Sequence, residues 1–329
     1  MLQNITVIGS GSWATALVKA TSESGLHVSW LVRSAEQAEH IRVQGRNPRY
    51  LSYADLETQN ITTYVDVKAS LQDSQLVIIA VPSTYLAQTI ATIKPEWVKN
   101  KQLAVSVKGF VPSTGNTPAV YVENYFPANG QAMVLAGPCH AEEIAMKRKT
   151  YLTIAGQDEK ILNELCEAIS VPYVTTIQNN DPKGVEYAAI LKNIIGIATG
   201  MAGGLNYGEN FQAVITSNAM REIEQFLAVA CPAKRDLFNS AYFGDMLVTA
   251  YSDYSRNRTL GKLIGRGFPL HKALQAMEMV AEGYNASKEL YQVLKKLALN
   301  LPLINCVYRV LHLHANPFHE FKLIEKQLV

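Results

Sequence analysis

The 329-residue chain has only four cysteines, Cys139, Cys166, Cys231 and Cys306, and they are widely and irregularly spaced. They form no CxxC pair and no compact framework, which excludes a disulfide scaffold and suits a reducing cytosol. Charge is scarce as well: 18% of residues are Asp, Glu, Lys or Arg, and the formal net charge is +2. That balance argues against a general nucleic-acid binder. Long uninterrupted apolar runs are missing. The most apolar stretch, residues 187–205, is broken by Lys192 and Asn193, so it reads as a buried helix and not as a stable membrane insertion. Met1-Leu2-Gln3-Asn4 leads straight into a β-branched run, which leaves no room for a signal peptide. With no internal repeat or low-complexity tract either, the expectation is a cytoplasmic globular protein.

What the chain has in quantity is apolar surface, 48% of its residues. Single cores rarely grow past roughly 250–300 residues, so two domains are expected. Residues 5–8, 28–32, 76–81, 103–107, 132–136, 151–155 and 173–177 are short apolar runs of strand character, with helical segments among them and Ser34 poised to cap one. Residues 76–81 are continuously apolar and end at Pro82, as in a strand buried on both faces. From Asp181 the texture becomes helical, over 183–201, 209–230, 235–241, 270–281 and 284–298. The turn-rich Asn179-Asn180-Asp181-Pro182 marks the change. The fold expected is α/β: a Rossmann-type doubly wound sheet over 1–180, then an all-α substrate-binding domain over 181–329.

The first strand runs into Gly9-Ser10-Gly11-Ser12-Trp13-Ala14. Gly9 suits a tight turn, Gly11 lets backbone approach a pyrophosphate, and the N–H groups of the next helix face the negative charge. The third position, Ala14, is a tolerated variant where helix and strand pack closely. A strand before the motif and a helix after it favour a dinucleotide site over a glycine turn in a flavodoxin-like sheet that binds nothing.

Ligands of open parallel sheets sit beyond the carboxyl ends of the strands. That rule selects Pro82-Ser83, Lys108 and Gly137-Pro138-Cys139-His140-Ala141. Lys108 is either a solvated group or a ligand contact. Lys192 lies in a helix apolar on every face, where an ammonium is costly unless paired or snorkelled to the surface. Burial also lowers an ammonium's pKa toward a range useful for proton transfer. Asp245 offers the partner, and Ser255-Arg256-Asn257 offers a planar fork and neutral donors for an anionic head, or else is a polar loop. Glu282 is a helix-end charge or a cofactor contact. His312, His314 and His319 have no acidic or cysteine partners nearby and read as a surface tail, so no metal is expected.

From Ile5 to about Pro302 the chain resembles the bacterial-type NAD(P)-dependent sn-glycerol-3-phosphate dehydrogenases. The resemblance rests on the glycine loop with Ser12-Trp13, Val107-Lys108-Gly109, residues 136–143 and Leu191-Lys192-Asn193. It continues through Gly204-Leu205, Gly208-Glu209-Asn210, Gly244-Asp245, Ser255-Arg256-Asn257-Arg258 and residues 280–284. It implies reversible reduction of dihydroxyacetone phosphate to sn-glycerol 3-phosphate with NADPH or NADH, for the glycerophospholipid backbone, by a cytosolic homodimer. Lys192 would be the proton donor and acceptor, oriented by Asp245. Lys108, Gly137, Cys139, Ser255, Arg256 and Asn257 would complete the substrate site. Ser12, Trp13, Arg33, Lys108, Ala141, Arg256, Val280 and Glu282 would touch the cofactor held by Gly9 and Gly11.

The chain departs from that pattern at four places. Cys139 stands where Ser or Thr is usual, giving a weak thiol donor. Ala14 replaces a glycine, Gly203 an Asp, and Ser217-Asn218-Ala219 a Thr-Arg-Gly stretch. The second strand ends in Val32-Arg33-Ser34 without the acidic residue that binds NAD ribose hydroxyls, and Arg33 suits a 2′-phosphate instead. NADPH is therefore expected to work at least as well as NADH. The competing readings are a β-hydroxyacid or 6-phosphogluconate dehydrogenase of the same two-domain plan, and a non-catalytic dinucleotide sensor.

Overall fold

A computed structural model describes residues 2–277 and 281–329. Its contacts divide the chain into two compact units: Met1–Val107 with Pro118–Pro182, and Lys108–Thr117 with Lys183–Val329. The segment Lys108–Thr117, which lies inside the 1–180 span by sequence, thus groups with the helical unit.

The first unit is built on eight strands: β1 (Asn4–Ile8), β2 (His27–Leu31), β3 (Ile61–Tyr64), β4 (Leu76–Ile79), β5 (Gln102–Val105), β6 (Met133–Ala136), β7 (Thr150–Ala155) and β8 (Val174–Asn179). Their order is β3-β2-β1-β4-β5-β6-β7-β8. Every neighbouring pair is parallel except β6–β7. The chain moves outward from β1 to β3, then returns to the other side of β1, so the β1–β4 junction is the switch point where such sheets bind ligands. Trp30, Ile5, Val7 and Ile78 lie in the buried core. Sequence patterning missed β3, whose four residues are all half-buried on the sheet edge and form no apolar run. The reversal at β7 also carries no sequence signal.

In the second unit, two long helices, Pro182–Gly204 and Glu209–Ala230, form the frame. No described helix is long and apolar enough to cross a membrane. Three expectations change here. The helix anticipated over 235–241 is absent; a π-helical turn, Ser240–Gly244, runs instead into the helix Asp245–Tyr251. Of 270–281, Leu270–Gln275 is helical, and 278–280 fall outside the described residues. The presumed histidine tail is structured, with helices Pro302–His312 and Pro317–Ile324. His312 is half-buried, and its Nε2 lies 2.9 Å from Ser287 Oγ and 3.1 Å from the Tyr284 carbonyl. The tail misled because its apolar positions follow a helical period between polar neighbours.

Candidate functional site

In the first unit the glycine turn follows β1 at the switch point. Gly9 has φ +129°, and a Cβ there would stand 2.3 Å from the Ala80 carbonyl oxygen, just past β4. Only glycine fits. Gly11 is the N-cap of the helix Ser12–Glu23, and a Cβ on it would meet nothing within 4 Å. The turn therefore packs tightly against the sheet on one side and leaves open space beside the helix N-terminus on the other, a cradle that fits a pyrophosphate. Ala14 is fully buried, as the close packing at this third position demands. The buried Trp30 indole donates to the Gly9 carbonyl at 2.7 Å, and the Trp13 indole donates to Ser106 Oγ at 2.7 Å.

Arg33 is exposed two residues beyond β2, whose Leu31 pairs with Ile8. Ser34 caps the next helix by accepting from the Gln37 N–H. At the end of β6, Gly137 has φ +101°, and a Cβ would crowd Thr153 Oγ1 at 3.1 Å. The Cys139 thiol donates to the Gly137 carbonyl at 3.0 Å, and Ala141 begins the helix Ala141–Ala145.

The second unit gathers its charges around one carboxylate. Asp245 is 1% exposed, and its Oδ1 accepts from the ammonium of Lys192, itself only 7% exposed. Lys108 Nζ lies 3.8 Å from the other oxygen, Oδ2, which has no hydrogen-bond donor among the described residues. Two cations facing one anion leave a single positive charge. Separating either member of such a buried pair from its partner costs about 3–5 kcal/mol.

The placement of Lys108 depends on Asn193, whose Nδ2 donates to the Lys108 carbonyl at 2.8 Å. Thr249 braces Asp245 by donating to its carbonyl at 2.8 Å. Sequence reasoning assigned neither residue a role, although Asn193 shows the same signal as Lys192, a polar group in an apolar helix.

Glycine sets the rest of the geometry. Gly196, Gly200 and Gly204 follow Lys192 at four-residue intervals on the same helix face. A Cβ at Gly200 would come within 2.1 Å of the Arg258 carbonyl oxygen, and one at Gly261 within 2.1 Å of that of Ile197. The Pro182–Gly204 helix therefore crosses the helix Arg256–Gly265 backbone to backbone. That crossing brings Ser255 and Asn257 beside Gly196, one turn from Lys192. The Ser255–Asn257 stretch read as a loop is thus a helix start: Ser255 caps it by accepting from the Arg258 N–H at 3.3 Å, and Arg256 is its first residue. Asn257 Oδ1 accepts from the Gly283 N–H at 2.9 Å, which docks the helix whose first residue is Glu282. Val280 lies outside the described residues. Among those described, no cluster of three metal-binding side chains occurs.

The structure thus brings Lys108, Lys192 and Asp245 together in one unit, with Ser255, Arg256, Asn257 and Glu282 on helix starts packed around the same helix. It places Gly9, Gly11, Ser12, Trp13, Arg33, Gly137, Cys139 and Ala141 in the other. Models of the N- and C-terminal parts of NAD-dependent glycerol-3-phosphate dehydrogenase match residues 4–162 and 181–321. A glycerol-3-phosphate dehydrogenase [NAD(P)+] from Exiguobacterium sp. is 32% identical over 329 residues, covering 99% of this chain and 96% of the relative. The chain belongs to the glycerol-3-phosphate dehydrogenase family. A member from Limosilactobacillus reuteri is 33% identical over 318 residues, covering 95% of this chain and 94% of its own. The crystal structure of the Coxiella burnetii glycerol-3-phosphate dehydrogenase superposes with a TM-score of 0.91 at 27% identity, covering 98% of both chains. Family membership weighs against the β-hydroxyacid and 6-phosphogluconate alternatives.

Proposed function

We propose that this chain reduces dihydroxyacetone phosphate reversibly to sn-glycerol 3-phosphate with NADPH or NADH. The observation that carries this reading is the buried Lys192–Asp245–Lys108 cluster in a member of this family. Reduced nicotinamide, when bound, supplies the hydride. Gly9, Gly11 and the helix start at Ser12 and Trp13 hold the dinucleotide phosphates, Arg33 meets a ribose 2′-phosphate, and Ala141 and Glu282 add contacts.

Lys192 donates a hydrogen bond to the substrate carbonyl oxygen and delivers its proton as negative charge develops there. In the reverse direction it takes that proton back. Asp245 holds the ammonium in place. Lys108 leaves the cluster with a net positive charge, which favours an alkoxide-like oxygen over a neutral carbonyl. Arg256 and Asn257, at the start of a ten-residue helix capped by Ser255, hold the phosphate through the guanidinium fork and the helix N-terminus. Gly137 and Cys139 are assigned to the substrate as well, the Cys139 proton being held by the Gly137 carbonyl. The same reading has the enzyme as a cytoplasmic homodimer supplying glycerophospholipid synthesis.

The test follows reduced-nicotinamide absorbance with dihydroxyacetone phosphate, using NADPH and NADH in parallel. Consumption that depends on this substrate supports the reading. Cofactor binding without consumption points to a dinucleotide sensor, and light scattering decides the dimer.

A further inference from the structure

The sequence offers no reason to single out Asn47, yet its side chain is fully buried and makes five hydrogen bonds. Nδ2 donates to the Ser10 carbonyl at 3.2 Å and to Thr15 Oγ1 at 2.8 Å. Oδ1 accepts from Gln37 Nε2 at 3.3 Å, the Arg49 N–H at 3.1 Å and the Tyr50 N–H at 3.2 Å. The amide has only one possible orientation. Backbone N–H groups can only donate, so the atom facing Arg49 and Tyr50 is the oxygen. Thr15 spends its one hydroxyl proton on the Gly11 carbonyl at 2.9 Å, so it must accept from the nitrogen.

These bonds complete a set. Three consecutive carbonyls of the glycine turn each accept from a side chain: Gly9 from Trp30, Ser10 from Asn47, and Gly11 from Thr15, which Asn47 in turn holds. In a planar trans peptide the carbonyl and the following N–H point in opposite directions. Fixing these oxygens therefore fixes the directions of the Ser10, Gly11 and Ser12 N–H groups. On its other side, Asn47 holds Gln37, whose Oε1 accepts from the Arg33 N–H at 3.3 Å.

We propose that Asn47 is a positioning residue for the dinucleotide: it aims the amides of the phosphate loop and, through Gln37, ties them to the backbone that carries Arg33. The first half rests on reading the glycine turn as the cofactor loop, and the second on reading Arg33 as the 2′-phosphate contact.

The test is direct titration of full-length wild type, Asn47→Asp, Thr15→Val and Gln37→Ala with NADPH and with NADH, followed by fluorescence. Thermal melting and the KM for dihydroxyacetone phosphate at saturating cofactor are recorded alongside. Asn47→Asp keeps the shape but turns an acceptor toward the Ser10 carbonyl and Thr15 Oγ1. It weakens both cofactors by about tenfold or more, with the substrate KM within about twofold of wild type. Thr15→Val breaks the same relay without a new charge, weakens both to a smaller extent, and carries the test if Asn47→Asp does not fold. Gln37→Ala weakens NADPH more than NADH. Wild-type cofactor affinity in a folded Asn47→Asp, or in Thr15→Val, overturns the proposal while leaving the enzymatic reading intact. A wild-type chain that binds neither dinucleotide overturns both.

Discussion

Lys192 and Gly196 stand one turn apart on the same face of the Pro182–Gly204 helix, and they do opposite things with it. Lys192 fills its space with an ammonium that reaches Asp245. Gly196 leaves its space empty, so that Thr249, Asn257 and Ser255 close in; a Cβ there would sit 2.9 Å from Thr249 Cγ2. One helix face thus carries the ammonium proposed as proton donor and admits the helix starts that bear Arg256 and Asp245.

This close packing is testable at Gly200. In Gly200→Ala the new methyl would lie 2.1 Å from the Arg258 carbonyl oxygen, which is backbone and cannot rotate away. Overpacking costs about 1–3 kcal/mol, against about 1 kcal/mol gained in helix propensity. Because the clash is with backbone, the cost falls at the upper end of that range, and urea unfolding should show a net loss of about 2 kcal/mol. The KM for dihydroxyacetone phosphate should rise as Arg256 shifts with its helix.

Arg33 gives the second prediction. Arg33→Ala should weaken NADPH by about tenfold, the scale of a lost charge-assisted hydrogen bond, and leave NADH within about twofold. Steady-state KM values for the two cofactors check this. An equal loss for both removes Arg33 from the discrimination.

The third prediction concerns Glu222, a buried carboxyl that accepts from the Leu303 N–H at 2.6 Å and the Ile304 N–H at 3.1 Å, anchoring the start of the Pro302–His312 helix. Burial pushes it up to about 7 despite those two donors, which favour the charged form. Between about 4.5, its ordinary value, and about 7, the folded chain keeps a proton that the unfolded chain has released. Its contribution to stability is therefore greatest at low pH and falls as pH rises through about 7. Glu222→Gln, which retains an acceptor, should flatten the pH dependence of unfolding between about pH 5 and about pH 8. Denaturant melts of both proteins across that range decide it; parallel slopes would reject the assignment.

Much of the site was legible because its residues violate their surroundings. Glycines after a β-branched run, and a lysine inside an apolar helix, each demand an explanation. Asp245 was legible as a carboxylate, ahead of an apolar run, that could orient that lysine. Ser255–Asn257 was legible as a set of polar donors but not as structure, since a polar string hides a helix start when the apolar residues come a turn later. Asn47 and Glu222 gave no signal at all: each is a polar residue in a polar or amphipathic setting, and its burial is decided by distant segments. The fold followed apolar runs faithfully, and failed at β3 and β7, where an edge position and a reversed direction leave no mark on local patterning.

The central claim is that Lys192 handles the proton. The decisive measurement is single-turnover reduction of dihydroxyacetone phosphate by wild type, Lys192→Met and Lys192→Arg, with cofactor affinity titrated on the same preparations. Lys192→Arg keeps a positive charge for Asp245 but its guanidinium does not release a proton. Both variants should bind cofactor as wild type does and reduce substrate about 100-fold to 10,000-fold more slowly. Turnover within about tenfold of wild type in folded Lys192→Arg would contradict the account.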